Sequence, residues 1–155
     1  MSSVPPNLPI LMADDDLDDR LLAQRALEKS QVPNPLVAVG DGEEMLDYLY
    51  RRGRFSKASA VRPCLILLDL NMPRMDGREA LRILKGDGRL KGIPVVILTT
   101  SLSMEDLNAC YEMGANSYIR KPHSFDELLQ TVQSLRQYWL ETVQLPPEKR
   151  SEDHD

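Results

Sequence analysis

The chain alternates two kinds of segment. Short aliphatic runs, "PILMA", "PLVAV", "CLILLDL", "IPVVILT" and "SYIR", are separated by longer stretches whose apolar residues recur at helical spacing. Three of the runs have almost no polar interruption, which suits strands covered on both faces. Helices are predicted from Asp18 to Ser30, Gly42 to Arg52, Gly77 to Lys85, Met104 to Met113 and Phe125 to Val143. In the first, Leu22, Ala26 and Leu27 share one face. Gly114 stands where a left-handed cap would close the fourth. Five strand–helix repeats predict an α/β fold: a doubly wound, five-stranded parallel sheet flanked by five helices.

A chain of 155 residues has room for one such domain. It is expected over residues 9–143, with a flexible N-terminus at 1–8 and a C-terminal tail at 144–155. No apolar run reaches the roughly 18 residues that cross a bilayer. The first residues show no secretion signal, so a cytoplasmic location is expected. Cys64 and Cys110 form no metal spacing and imply no disulfide framework. The net charge of −5 argues against a dedicated nucleic-acid binder. The basic run "RRGRFSKASAVR" reads as a solvated loop and has no stacking series of aromatics.

Open α/β sheets place their sites at the carboxyl ends of the strands. Asp14 and Asp15 follow the first strand, Asp69 the third, Thr99 and Thr100 the fourth, and Lys121 the fifth. Three carboxylates, a hydroxyl and an ammonium on one edge suit a hard divalent cation together with a phosphoryl group. Mg²⁺ would offset the repulsion among Asp14, Asp15 and Asp69. Asp16, Asp18 and Asp19 have a plainer explanation: they start a helix, where side-chain caps and the dipole favour anions. An EF-hand loop beginning at Asp14 would need Gly at its sixth place and Glu at its twelfth. The chain has Asp19 and Arg25 there.

With the acidic pair, "DLNMPRMDG", "ILTTS" and "SYIRKP" each at a strand end in order, the chain resembles a response-regulator receiver domain of flavodoxin-like fold. That resemblance implies that Asp69 accepts a phosphoryl group from a phosphohistidine on a sensor histidine kinase. Asp15 and Asp69 would bind Mg²⁺ directly, Asp14 through water, and Asn71 through its backbone carbonyl. Thr99 and Lys121 would contact the phosphoryl oxygens, and Tyr118 would be the switch aromatic. The peptide before Pro122 would be cis. The domain would be a phosphoacceptor and not an enzyme, with at most slow self-dephosphorylation. A second reading is a small Mg²⁺-dependent aspartate-nucleophile phosphatase of the haloacid-dehalogenase type, with Asp14 as nucleophile. Asp18 and the lack of cap elements fit it poorly.

Neither a DNA-binding unit nor another effector is expected after Val143. A receiver on its own would relay the phosphoryl group or switch a protein contact. The last helix, about 30 Å long if regular throughout, carries the inward stripe Phe125, Leu128, Val132, Leu135 and Trp139. Tyr138, Trp139, Leu140 and Val143 are the candidates for a homodimer interface on the helix-five side. The insert "YLYRRGRFSKASAVRP" and the tail "YWLETVQLP" resemble the response regulators that accompany phytochrome-type kinases. A bacterial phytochrome would then be the phosphoryl donor. His123 departs from the Phe common after Lys–Pro in receivers.

Overall fold

In the computed structural model the structure describes residues 4–56, 60–142 and 144–146. Five parallel strands form one sheet: β1 (Ile10–Ala13), β2 (Leu36–Val39), β3 (Leu65–Leu68), β4 (Val95–Thr99) and β5 (Ser117–Arg120). Their order is β2-β1-β3-β4-β5. The helices are α1 (Leu17–Lys29), α2 (Gly42–Tyr50), α3 (Gly77–Gly86), α4 (Met104–Glu112) and α5 (Phe125–Leu135). The predicted fold class is therefore the observed one.

Strand composition explains the order. β1, β3 and β4 are buried at every position, while β2 and β5 are mostly half-buried. The continuous aliphatic runs take the centre because only there are both faces covered. Side chains alternate between the faces. Ile10, Met12, Leu65 and Leu67 pack under α1 and α5 with Ala26 and Val132. Leu11, Ile66, Leu68 and Ile97 pack on the other side with Leu46, Leu81 and Cys110.

Each of the five helices begins with a capping side chain: Asp16, Asp41, Asp76, Ser103 and Ser124. Each helix follows a strand of one parallel sheet, so every helix N-terminus lies toward the edge where the strands end. That edge therefore gathers both the strand-end residues and the positive ends of the helix dipoles.

Four expectations need correction. The described part of the N-terminus does not hang free. Val4 is buried, Leu8 packs on the core, and the Asn34 side-chain amide donates to the carbonyls of Pro5 and Leu8. The second helix ends at Tyr50 because Arg51 takes a left-handed φ of 55°. The last helix is α-helical only to Leu135 and continues as a π-helical segment, Arg136–Thr142. In a turn closed between residues five apart, Leu135 and Leu140 reach the same side, and both join one core cluster. Finally, no described peptide bond is cis, so the one before Pro122 is trans, the isomer preferred even at proline.

Candidate phosphoacceptor and metal site

The sheet's hydrogen bonds assemble the site. Asp69 N–H donates to the Ala13 carbonyl at 3.0 Å, which puts the residue after β3 beside the residue after β1. Asp14 N–H donates to the Val39 carbonyl at 3.0 Å, and Lys121 N–H to the Thr99 carbonyl at 2.7 Å. Asp14, Asp69, Thr99 and Lys121 thus sit at adjacent strand ends. Asp14, Asp69 and Thr99 are buried.

Lys121 is the hub. Its Nζ lies 2.8 Å from Asp14 Oδ2, 2.7 Å from Asp19 Oδ2 and 2.9 Å from Asp69 Oδ2. Burial alone would push the lysine's pKa down. Hydrogen bonds to Asp14, Asp19 and Asp69 more than offset this and raise it. Asp14 shows the converse balance: burial raises its carboxyl, only partly opposed by Lys121 and by the Asp16 N–H. One ammonium does not neutralise so many carboxylates, and the site retains excess negative charge.

Oxygens of Asp14, Asp15 and Asp69 lie within 4.8 Å of one another. Asp14 Oδ2 is buried and faces the Lys121 ammonium at 2.8 Å, a donor it shares with Asp19 and Asp69. A buried carboxylate served by one shared ammonium, with oxygens of two further carboxylates close by, fits a hard divalent cation such as Mg²⁺. Asp69 has its orientation set locally: the Leu70 N–H donates to its Oδ1 at 2.7 Å, and Lys121 holds its Oδ2.

Thr99 Oγ1 accepts from the Ser101 N–H at 3.3 Å. The half-buried Tyr118 donates its hydroxyl to the Ser101 carbonyl at 3.4 Å. Both therefore converge on the loop after β4. Asn71 lies in the loop after β3 and is exposed. At the far end of the chain Tyr138 is 54% exposed and meets the half-buried Trp139 edge-on, with ring centroids 5.0 Å apart. Leu140 is 3% exposed and packs inside this chain's own core. Val143 lies outside the described residues.

Sequence reasoning missed three contributors. Asp16 is the cap it was expected to be, but Asp19 is also an ion partner of Lys121. Its place in the first turn of α1, facing the last strand's loop, is the only sequence signal for this. Arg20 Nε donates to the Asp14 carbonyl at 2.6 Å. Arg78 forms a two-pronged pair with Asp106, at 2.7 Å through both Nε and Nη2, and Asp106 in turn accepts from the Ser101 hydroxyl.

The model of the response regulator receiver domain matches residues 10–133. The chain belongs to the response regulator receiver family. This receiver is 41% identical to the response regulator Rcp1 of Synechocystis over 93% of its own length and 96% of that protein's. Among solved structures it resembles the phosphorylated cyanobacterial phytochrome response regulator RcpA, with TM-score 0.84 and 42% identity over 91% of this chain and 99% of that one. It also resembles the Mn²⁺-bound form of Rcp1, with TM-score 0.82 and 40% identity over 90% and 99% of the two chains. The aspartate-nucleophile phosphatase reading finds no support in this family. Among the described residues no helix is long and apolar enough to cross a membrane.

Proposed function

We propose that the receiver takes a phosphoryl group on Asp69 from a phosphohistidine of a sensor histidine kinase. The observation that carries this is the grip on Asp69: Lys121 lies 2.9 Å from its Oδ2 and the Leu70 N–H holds its Oδ1, beside the oxygens of Asp14 and Asp15. An Asp69 oxygen attacks phosphorus, the P–N bond breaks, and the imidazole leaves with the electron pair. Little covalent help is needed, because such transfers depend on positioning and charge neutralisation. Lys121 stabilises one phosphoryl oxygen and Thr99 can donate its hydroxyl to another. Asp15 and Asp69, with Asp14 through water and the Asn71 carbonyl, would hold Mg²⁺. Held there, Mg²⁺ would supply positive charge to offset that on the phosphoryl oxygens.

Movement of Thr99 toward the phosphoryl group would release the Ser101 N–H, and the Tyr118 contact on Ser101 would report it. Transfer to a downstream acceptor, or a changed protein contact, is the output; the only reaction of its own is slow hydrolysis of the acyl phosphate. A phytochrome-type kinase is the favoured donor, supported by the likeness to the phytochrome response regulator RcpA. A homodimer through the α5 side would use Tyr138 and Trp139, with Leu140 supporting them from within.

The test is phosphorylation by a small acyl phosphate with Mg²⁺, read by intact mass. One added phosphoryl group that requires Mg²⁺ and vanishes in Asp69→Asn is expected. Labelling that persists in Asp69→Asn would overturn the assignment.

A further inference from the structure

The loop that follows Asp69 is tied at both ends. Its first residue, Leu70, donates to the Asp69 carboxylate, and the Gly77 N–H closes the loop onto the Leu70 carbonyl at 2.8 Å. Its far side is gripped by the turn between β2 and α2. There the Gly42 N–H donates to the Met75 carbonyl at 2.9 Å. The approach is so close that a Cβ on Gly42 would lie 2.8 Å from that oxygen. One residue earlier in each segment, Arg74 Nε donates to Asp41 Oδ2 at 2.7 Å.

This pair differs from an ordinary surface ion pair, which contributes little because both partners are mobile and solvated. The Arg74 side chain is 65% exposed, but its partner Asp41 is fully buried. Its other oxygen accepts the Glu44 N–H at 2.8 Å, so the carboxylate is locked as the cap of α2. Arg74 holds a left-handed φ of 61°, a conformation uncommon for a residue with a side chain. The guanidinium therefore fastens a constrained backbone to a fixed point.

We propose that Asp41 and Arg74 are positioning residues for the cation centre: by pinning the loop after Asp69, they set how tightly the carboxylate cluster holds Mg²⁺. The proposal rests on the receiver reading of the site. Neither residue belongs to the carboxylate cluster, and their influence runs through Leu70 and the loop backbone. Groups that orient the ligands of a metal commonly change affinity by about 10- to 100-fold when removed.

Calorimetric titration of the whole chain with Mg²⁺ tests this. Arg74→Asn removes the guanidinium and leaves a residue that tolerates the left-handed backbone. Asp41→Asn keeps a capping side chain on α2. Each is expected to weaken Mg²⁺ binding about tenfold, the two together no more than either alone, and Arg74→Lys less than Arg74→Asn. Unchanged affinity in Arg74→Asn overturns the proposal, including where its melting temperature falls, since a merely structural pair would move stability alone. If Asp41→Asn does not fold, Arg74→Asn decides. Asp69→Asn separates the two levels. Wild-type binding that this control abolishes confirms the site, whatever Arg74 does. No wild-type binding, or binding unaffected by the control, removes the receiver metal reading and this proposal with it.

Discussion

The loops after β3 and β4 flank the same carboxylate, yet they are fastened by different means. The first is held chiefly backbone to backbone, Gly42 against the Met75 carbonyl and Gly77 against that of Asp69 with no room for a side chain, and the Arg74 side chain adds its bond to the buried Asp41. The second is held by side chains. Arg78 and Asp106 are 33% and 18% exposed, and Ser101 bridges Asp106 to the Thr99 loop. Backbone contacts without free space have one arrangement, whereas side-chain pairs at the surface can be exchanged for others. On the proposed reading, the loop fastened by backbone follows the carboxylate to be positioned, and the loop fastened by side chains carries the residues that would respond. A receiver needs both properties within one site, and the two modes of fastening separate them.

The contrast can be broken most severely at Gly77. A Cβ there would lie 2.1 Å from the Asp69 carbonyl oxygen, a backbone atom that cannot swing aside as the end of a side chain could. Gly77→Ala should destabilise the fold by about 3 kcal/mol, read as a shifted urea midpoint. A loss below a few tenths would show that the β3 loop is not rigid.

Arg78→Ala should have a smaller effect, about 1 kcal/mol, because the pair is partly solvated. Its signature lies elsewhere. Amide exchange should accelerate at 101–106 and stay unchanged at 70–76. Equal acceleration in both loops would erase the distinction.

The smallest effect is one of pH. Hydrogen bonds from Arg78 and then Ser101 hold the Asp106 carboxyl at about 2, below its ordinary 3.8. Its folded value is the lower one, so its stabilisation is complete above about pH 4 and is lost as pH falls toward 2. Acid unfolding curves of the wild type and Arg78→Ala should therefore converge across that interval. Parallel curves would mean that Asp106 is not anchored by Arg78.

Much of the site was legible because its parts lie at strand ends. Aliphatic runs mark the strands, and in a parallel sheet each run ends at the same edge. Asp14, Asp15, Asp69, Thr99 and Lys121 could thus be grouped without knowing the strand order. Asp16 was legible as a cap for a similarly local reason. Asp19 was not, because a first-turn aspartate looks the same whether it faces solvent or a lysine a hundred residues away. The pairs Arg74–Asp41 and Arg78–Asp106 were hidden for the same cause: each joins residues that are far apart in the chain and individually ordinary. The shift to π-helix at Arg136 also left no mark, since Leu135, Trp139 and Leu140 are compatible with either turn.

The chain's pattern by itself thus determined the fold class, the edge that carries the chemistry and the residue types gathered there, because periodicity and strand ends are local properties. Tertiary structure alone decided which carboxylates share Lys121, how each flanking loop is fastened, and that Leu140 turns inward. Those depend on distances between segments that only packing brings together.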